Sequence, residues 1–99
     1  MNAPAFSQAK FERGQLLVSR NIAALLERNP LAFWMVTNCL TRHLSGDCGD
    51  MCIEDKAANE EALLIGARVF SAYETPEGKI WIITEADRSA TTVLFPEEY

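Results

Sequence analysis

Three runs in the last third of the chain, ARVFSAYE, KIWIITE and ATTVLF, are rich in β-branched and aromatic residues and are separated by turn residues. They constrain the fold more than any other feature. Strands this close in sequence pair antiparallel through short turns, and one face of the sheet must be covered by other elements. Thr75–Gly78 (TPEG) places Pro second and Gly fourth, which suits a type I turn, and Ala86–Ser89 (ADRS) suits a second connection. In the middle run, Ile80, Trp81, Ile82 and Ile83 are apolar at both parities. This predicts a central strand covered on both faces, or one face that meets a partner. Pro96 ends the last strand and opens an acidic tail, PEEY.

The covering elements lie upstream. GQLLVS (Gly14–Ser19) reads as a short strand bounded by Gly and Ser. Ser19 or Asn21 can cap a helix over RNIAALLERN, where Ile22, Leu25 and Leu26 recur at helical spacing. Pro30 stops that helix and suits the first turn of another. On the second helix, over 31–44, a projection at about 100° per residue puts Ala32, Phe33, Val36, Cys39, Leu40 and Leu44 on one arc. Thr37, Asn38, Thr41 and Arg42 fall opposite, with His43 inside the apolar arc and Trp34 among the polar residues. Gly46 suits a helix C-terminus, and a third helix is expected from Asp50 or a neighbour to a stop at Gly66. The predicted fold is therefore α+β. A short N-terminal strand and three helices pack on a C-terminal three-stranded antiparallel meander. Residues 1–12 form a loose N-terminal segment, and 13–99 a single domain.

Composition narrows the function. With 48% hydrophobic and 23% charged residues the chain is of ordinary globular type. Its longest apolar runs, LAFWMV and IWII, fall far short of the roughly 20 residues of a membrane span. The first fourteen residues carry no basic stretch followed by an apolar one, so no secretion signal is expected. Three cysteines cannot all pair, and reduced thiols in a cytoplasm are the simplest reading. The net charge of −5 is uneven. Residues 1–45 carry five basic and two acidic side chains (+3), and residues 46–99 carry four basic and twelve acidic (−8). Scattered basic residues and an acidic half make nucleic acid an unfavourable partner.

The stretch HLSGDCGDMCIED invites chemistry. Cys39, His43, Cys48 and Cys52 offer a thiolate and imidazole set of zinc type, but the spacing C-x3-H-x4-C-x3-C matches no knuckle built on C-x2-C. A Cys48 nucleophile with His43 as base and Asp47 or Asp50 as orienter is opposed by its surroundings. Asp47, Asp50, Glu54 and Asp55 would raise the thiol pKa. The loop lacks calcium-loop spacing, since Asp47 and Asp50 are three apart. Glu85 and Asp87 flank a turn beside Arg88, where solvation alone accounts for acidic residues. No nucleophile elbow, phosphate loop or dinucleotide fingerprint is present. The reading is a non-enzymatic chain with no metal and no cofactor, and His43 as a core residue.

Surface remains. Trp34 on a polar arc is the residue type most used as an interface anchor, which points to a homodimer or a host protein partner. Tyr73, Trp81, Asp47, Asp50, Glu85, Asp87 and Arg88 are further candidate contact residues. Two other functions compete. One is a small-molecule site between helices and sheet, lined by Phe33, Phe70 and Trp81; the other is an acidic decoy of a DNA-binding protein.

The strings RHLSGDCGD, EDKAANEEAL, SAY and IWIITEADRSATTVLFPEEY resemble a group of small bacterial proteins carried on plasmids, integrative elements and gene cassettes. Members are often described as plasmid-related, and some as subunits of type I restriction systems. The resemblance spans roughly residues 42–99. It implies a bacterial, cytoplasmic accessory protein, with no residue role to carry over. Members tend to have tryptophan where this chain has Cys48, which implies that position 48 packs against something of aromatic size. A restriction methyltransferase needs a cofactor domain larger than this whole chain, so that activity does not fit.

Overall fold

A computed structural model describes residues 11–47, 49, 61 and 66–99. In chain order they form β1 (Gln15–Val18), α1 (Arg20–Arg28), α2 (Ala32–Leu44), β2 (Val69–Thr75), β3 (Gly78–Thr84) and β4 (Ala90–Leu94), followed by a 3-10 turn at Pro96–Glu98. The last three strands make the expected antiparallel meander, with Ala72 opposite Trp81 and Ile82 opposite Val93. β3 is its middle strand, and Ile82 and Ile83, on opposite faces, are both buried.

The sheet corrects the predicted architecture. It has four strands in the order β1-β4-β3-β2, and β1 pairs parallel with β4, Gln15 beside Ala90 and Val18 beside Val93. The expected three-stranded antiparallel sheet is thus a mixed four-stranded one, and among the described residues it carries two helices. The third helix, expected from Asp50 or a neighbour to a stop at Gly66, lies almost wholly outside them; within that span Glu61 is described as helical and Gly66 as a turn. The missed pairing has a physical reason. Turn chemistry and local period encode hairpins, whereas β1 and β4 are joined only through the whole intervening chain.

Capping places α1. Ser19 has an extended backbone, and its hydroxyl oxygen accepts the Ile22 N–H at 3.2 Å. The same hydroxyl donates to Glu98 at 2.6 Å, and Glu98 also accepts the Asn21 N–H at 3.1 Å. A carboxylate from the far end of the chain thereby serves a helix start that has no acidic residue of its own. Desolvation raises the Glu98 carboxyl, but hydrogen bonds from Ser19, Phe95 and Asn21 outweigh it and hold the group below the ordinary value. Helix α2 buries Ala32, Val36, Cys39, Leu40, His43 and Leu44. The core joins Ile22, Val36, Cys39, Leu40 and Leu44 of the helices to Tyr73, Ile80, Ile82 and Val93 of the sheet. Phe11, within the stretch read as loose, packs against it.

Candidate functional site

His43 is fully buried, and each of its ring nitrogens meets a hydroxyl. Nδ1 lies 2.6 Å from Ser71 Oγ on β2, and Nε2 lies 2.8 Å from Thr84 Oγ1 on β3. Thr84 Oγ1 is 2.7 Å from Thr91 Oγ1 on β4, and Thr91 donates to the Arg13 carbonyl at 2.8 Å. One end of this chain assigns every proton. A carbonyl only accepts, so Thr91 spends its proton on Arg13 and must accept from Thr84. Thr84 then accepts from His43, which carries its proton on Nε2 and accepts at Nδ1 from Ser71. Burial, helped by the Arg88 charge, pushes His43 down to about 4. The imidazole is neutral at pH 7, sealed from solvent, and committed at both nitrogens. It holds α2 to three strands and cannot act as a base on a substrate.

Of the four ligand candidates Cys39, His43, Cys48 and Cys52, only Cys39 and His43 lie among the described residues. Cys39 is buried and in no disulfide, and among the described residues no group of three or more ligating side chains converges. Cys48, Asp50 and Cys52 lie outside the described residues. Asp47 is a structural joint. It pairs with Arg42 at 2.8 Å and accepts the Gly49 N–H at 2.9 Å, while its carbonyl accepts the Tyr73 hydroxyl. Tyr73, a candidate contact residue, is fully buried, and burial holds its hydroxyl well above the ordinary value. Gly49 bridges Ala72 on the outer edge of β2, and a Cβ there would collide with the Ala72 carbonyl. Only glycine permits that approach.

The Glu85–Arg88 loop is also committed to structure. Asp87 accepts the Ser89 N–H at 2.9 Å, and hydrogen bonds from Ser89 hold its carboxyl below the ordinary value. Glu85 lies 3.9 Å from Arg68 across an exposed ion pair. Arg88 adopts a left-handed φ of 61° and donates to the Ala67 carbonyl at 2.6 Å and the Glu85 carbonyl at 3.1 Å. Its guanidinium stands 5.4 Å above the Phe11 ring. Gly14, also left-handed, packs its backbone against Arg88 and Ser89 where a Cβ would not fit. The carboxylates therefore do not form an acid–base pair facing a cleft.

The aromatic residues separate. Ser71 reaches α2 through His43, so its neighbour Phe70 points to the opposite face of the sheet, as does Trp81 beside the core residues Ile80 and Ile82. There Phe70 and Trp81 meet edge to face at 4.8 Å, and Tyr99 continues the series at 5.6 Å from Trp81. Phe33 lies on the outside of α2, with Trp34 5.7 Å away. Phe33, Phe70 and Trp81, expected to line one pocket, thus lie on different faces of the described residues. An open hollow of about 230 Å³ lies elsewhere, between Leu31, Ala32 and Met35 of the α2 start and Pro76 and Glu77 of the β2–β3 turn.

What the start of α2 presents outward is apolar: Leu31, just before the helix, is 75% exposed, Phe33 56% and Trp34 69%. The projection singled out Trp34 but placed Phe33 on the buried arc, and it passed over Leu31. Pro30 was the available signal for Leu31, because a residue at a helix start has no preceding turn to cover it. Leu16, Leu17 and Val18 of β1 are exposed as well. Among the described residues, no helix is long and apolar enough to cross a membrane. Compared with protein families, curated proteins and solved structures, the chain matches none.

Proposed function

We propose that this chain is a non-enzymatic, cytoplasmic accessory protein of a bacterial mobile element, acting by protein–protein contact at the start of α2. The observation that carries the contact is the exposed trio Leu31, Phe33 and Trp34. Two large aromatic side chains held edge to face in water gain little for the fold, and they resemble the anchors that dominate binding energy at interfaces. The hollow beside them is lined by Leu31 and Met35 and is small for a ligand pocket, yet suits one inserted side chain. The mobile-element context rests on the resemblance of residues 42–99 alone. The non-enzymatic reading is supported by His43, whose nitrogens both serve the fold.

The test is native mass spectrometry of protein purified without chelator from bacterial cytosol, beside Trp34→Asp. A complex with a host protein that is lost in the variant supports the proposal. An identical partner profile for the two, or a retained zinc ion or small molecule, overturns it.

A further inference from the structure

The two edges of the sheet are treated differently. The outer edge of β2 is met at Ala72 by Gly49. The outer edge of β1 is met by nothing among the described residues. Gln15 N–H donates to the Ser89 carbonyl and Ser19 N–H to the Val93 carbonyl, both at 2.9 Å. In a parallel ladder, alternate residues turn their backbone groups to the same neighbour. Gln15, Leu17 and Ser19 therefore face β4, and the N–H and C=O of Leu16 and Val18 point away from the sheet. The side chains beside them, Leu16, Leu17 and Val18, are 41%, 41% and 39% exposed. Natural sheets protect such edges with charges, proline or a bulge, and Gly14–Ser19 carries none of these within β1.

We propose that β1 pairs antiparallel with β1 of a second copy, about a two-fold axis at Leu17, to make one continuous eight-stranded sheet. The proposal rests on the reading of this chain as an interaction protein, but it uses a different surface from Trp34. Open backbone groups call for a strand, and pairing in this register sets Leu16 opposite Val18 of the second copy, and the reverse. In an antiparallel hydrogen-bonded pair two residues exchange both of their bonds. All four outward groups of each copy are then satisfied, with none left over at either end. Leu16 and Val18 meet across the axis on the helix-bearing face, and the two Leu17 side chains meet on the other. The strand has no charge to repel its image.

The decisive pair of variants is Leu17→Lys and Leu17→Cys. Sedimentation and native mass spectrometry of the full chain should find a dimer. Leu17→Lys, which sets two ammonium groups side by side at the axis, should raise its dissociation constant at least about tenfold. Leu17→Cys, at a closely spaced non-hydrogen-bonded pair, should cross-link under mild oxidation well above the wild-type background from the native cysteines. Trp34→Asp should leave the dimer intact, which separates failure of this proposal from failure of the α2 contact. Hydrogen exchange guards against misfolded variants: amides of Leu16 and Val18 should be slow in the dimer and fast in Leu17→Lys, while the β3 amides stay slow in both. A wild-type monomer overturns the proposal, including one with slow Leu16 and Val18 amides, whose edge would be taken by another part of the chain. So does a dimer that Trp34→Asp dissolves and Leu17→Lys does not.

Discussion

The two ends of α2 are opposites. At its C-terminal end the most reactive-looking side chain of the protein, His43, has no solvent exposure. Among the described residues, every buried side-chain nitrogen and oxygen has a partner. At its N-terminal end three large apolar residues stand in solvent, and among side chains the helix start is served only by Asn29, whose side-chain oxygen accepts the Leu31 N–H at 3.2 Å. Chemical reactivity is thus a poor guide to which side chains of α2 the fold leaves at the surface. A polar group inside a core must be completely satisfied or it costs stability, so its ligands are spent on the fold. An apolar group left outside has no such claim on it and is free for a partner.

Breaking the inner end should have the largest effect. His43→Ala removes a packed ring and leaves Ser71 and Thr84 without their acceptor and donor, so it should cost about 3–5 kcal/mol of unfolding free energy. Urea unfolding would measure this, and a loss below about 1 kcal/mol would mean that the network does not hold α2 to the sheet. Acid should probe the same site without mutation. The folded His43 titrates near 4, below its ordinary 6.5, so the unfolded chain binds the proton first. The contribution is fully present above pH 6.5 and is lost as pH falls toward 4, by up to about 3 kcal/mol. Melting curves of the wild type and His43→Gln between pH 7.5 and 4.5 should converge as the pH drops. Parallel curves would contradict a neutral buried imidazole.

A smaller effect is expected where the chain termini meet. Ser19→Ala deletes both the α1 cap and the donor to Glu98, and should cost about 1–2 kcal/mol in the same unfolding assay. Full retention of stability would show that Glu98 caps the helix unaided. The smallest effect belongs to the outer end of α2. Trp34→Asp should change unfolding free energy by less than about 0.5 kcal/mol, in contrast to His43→Ala nine residues further along the same helix. A large loss would mean that Trp34 is covered within the monomer, and the contrast between the two ends would fail.

Much of this was legible in advance wherever the information is local. Ser19 caps α1 as its residue type suggests, Pro30 divides the helices, and Thr75–Gly78 turns β2 into β3. His43 was placed in the core by its position on the apolar arc, and Trp34 outside by its place on the polar one. Tyr73, read as a surface candidate, went the other way, and Arg88 is half-buried. Tyr73 is buried because alternation along β2 puts it on the same face as Ser71, toward α2. Arg88 binds the Ala67 carbonyl, a partner that no spacing rule names.

Sequence by itself therefore determined the strands and hairpins of β2, β3 and β4, the helical runs of α1 and α2 and, Phe33 apart, the inward side of α2, because period and turn chemistry act over a few residues. Tertiary structure alone decided that β1 joins the sheet parallel to β4, that Ser71, Thr84 and Thr91 line up on His43, and that Glu98 caps α1. Each of these unites residues far apart in the chain, through hydrogen bonds whose partners are chosen by proximity in the folded state rather than by any local preference.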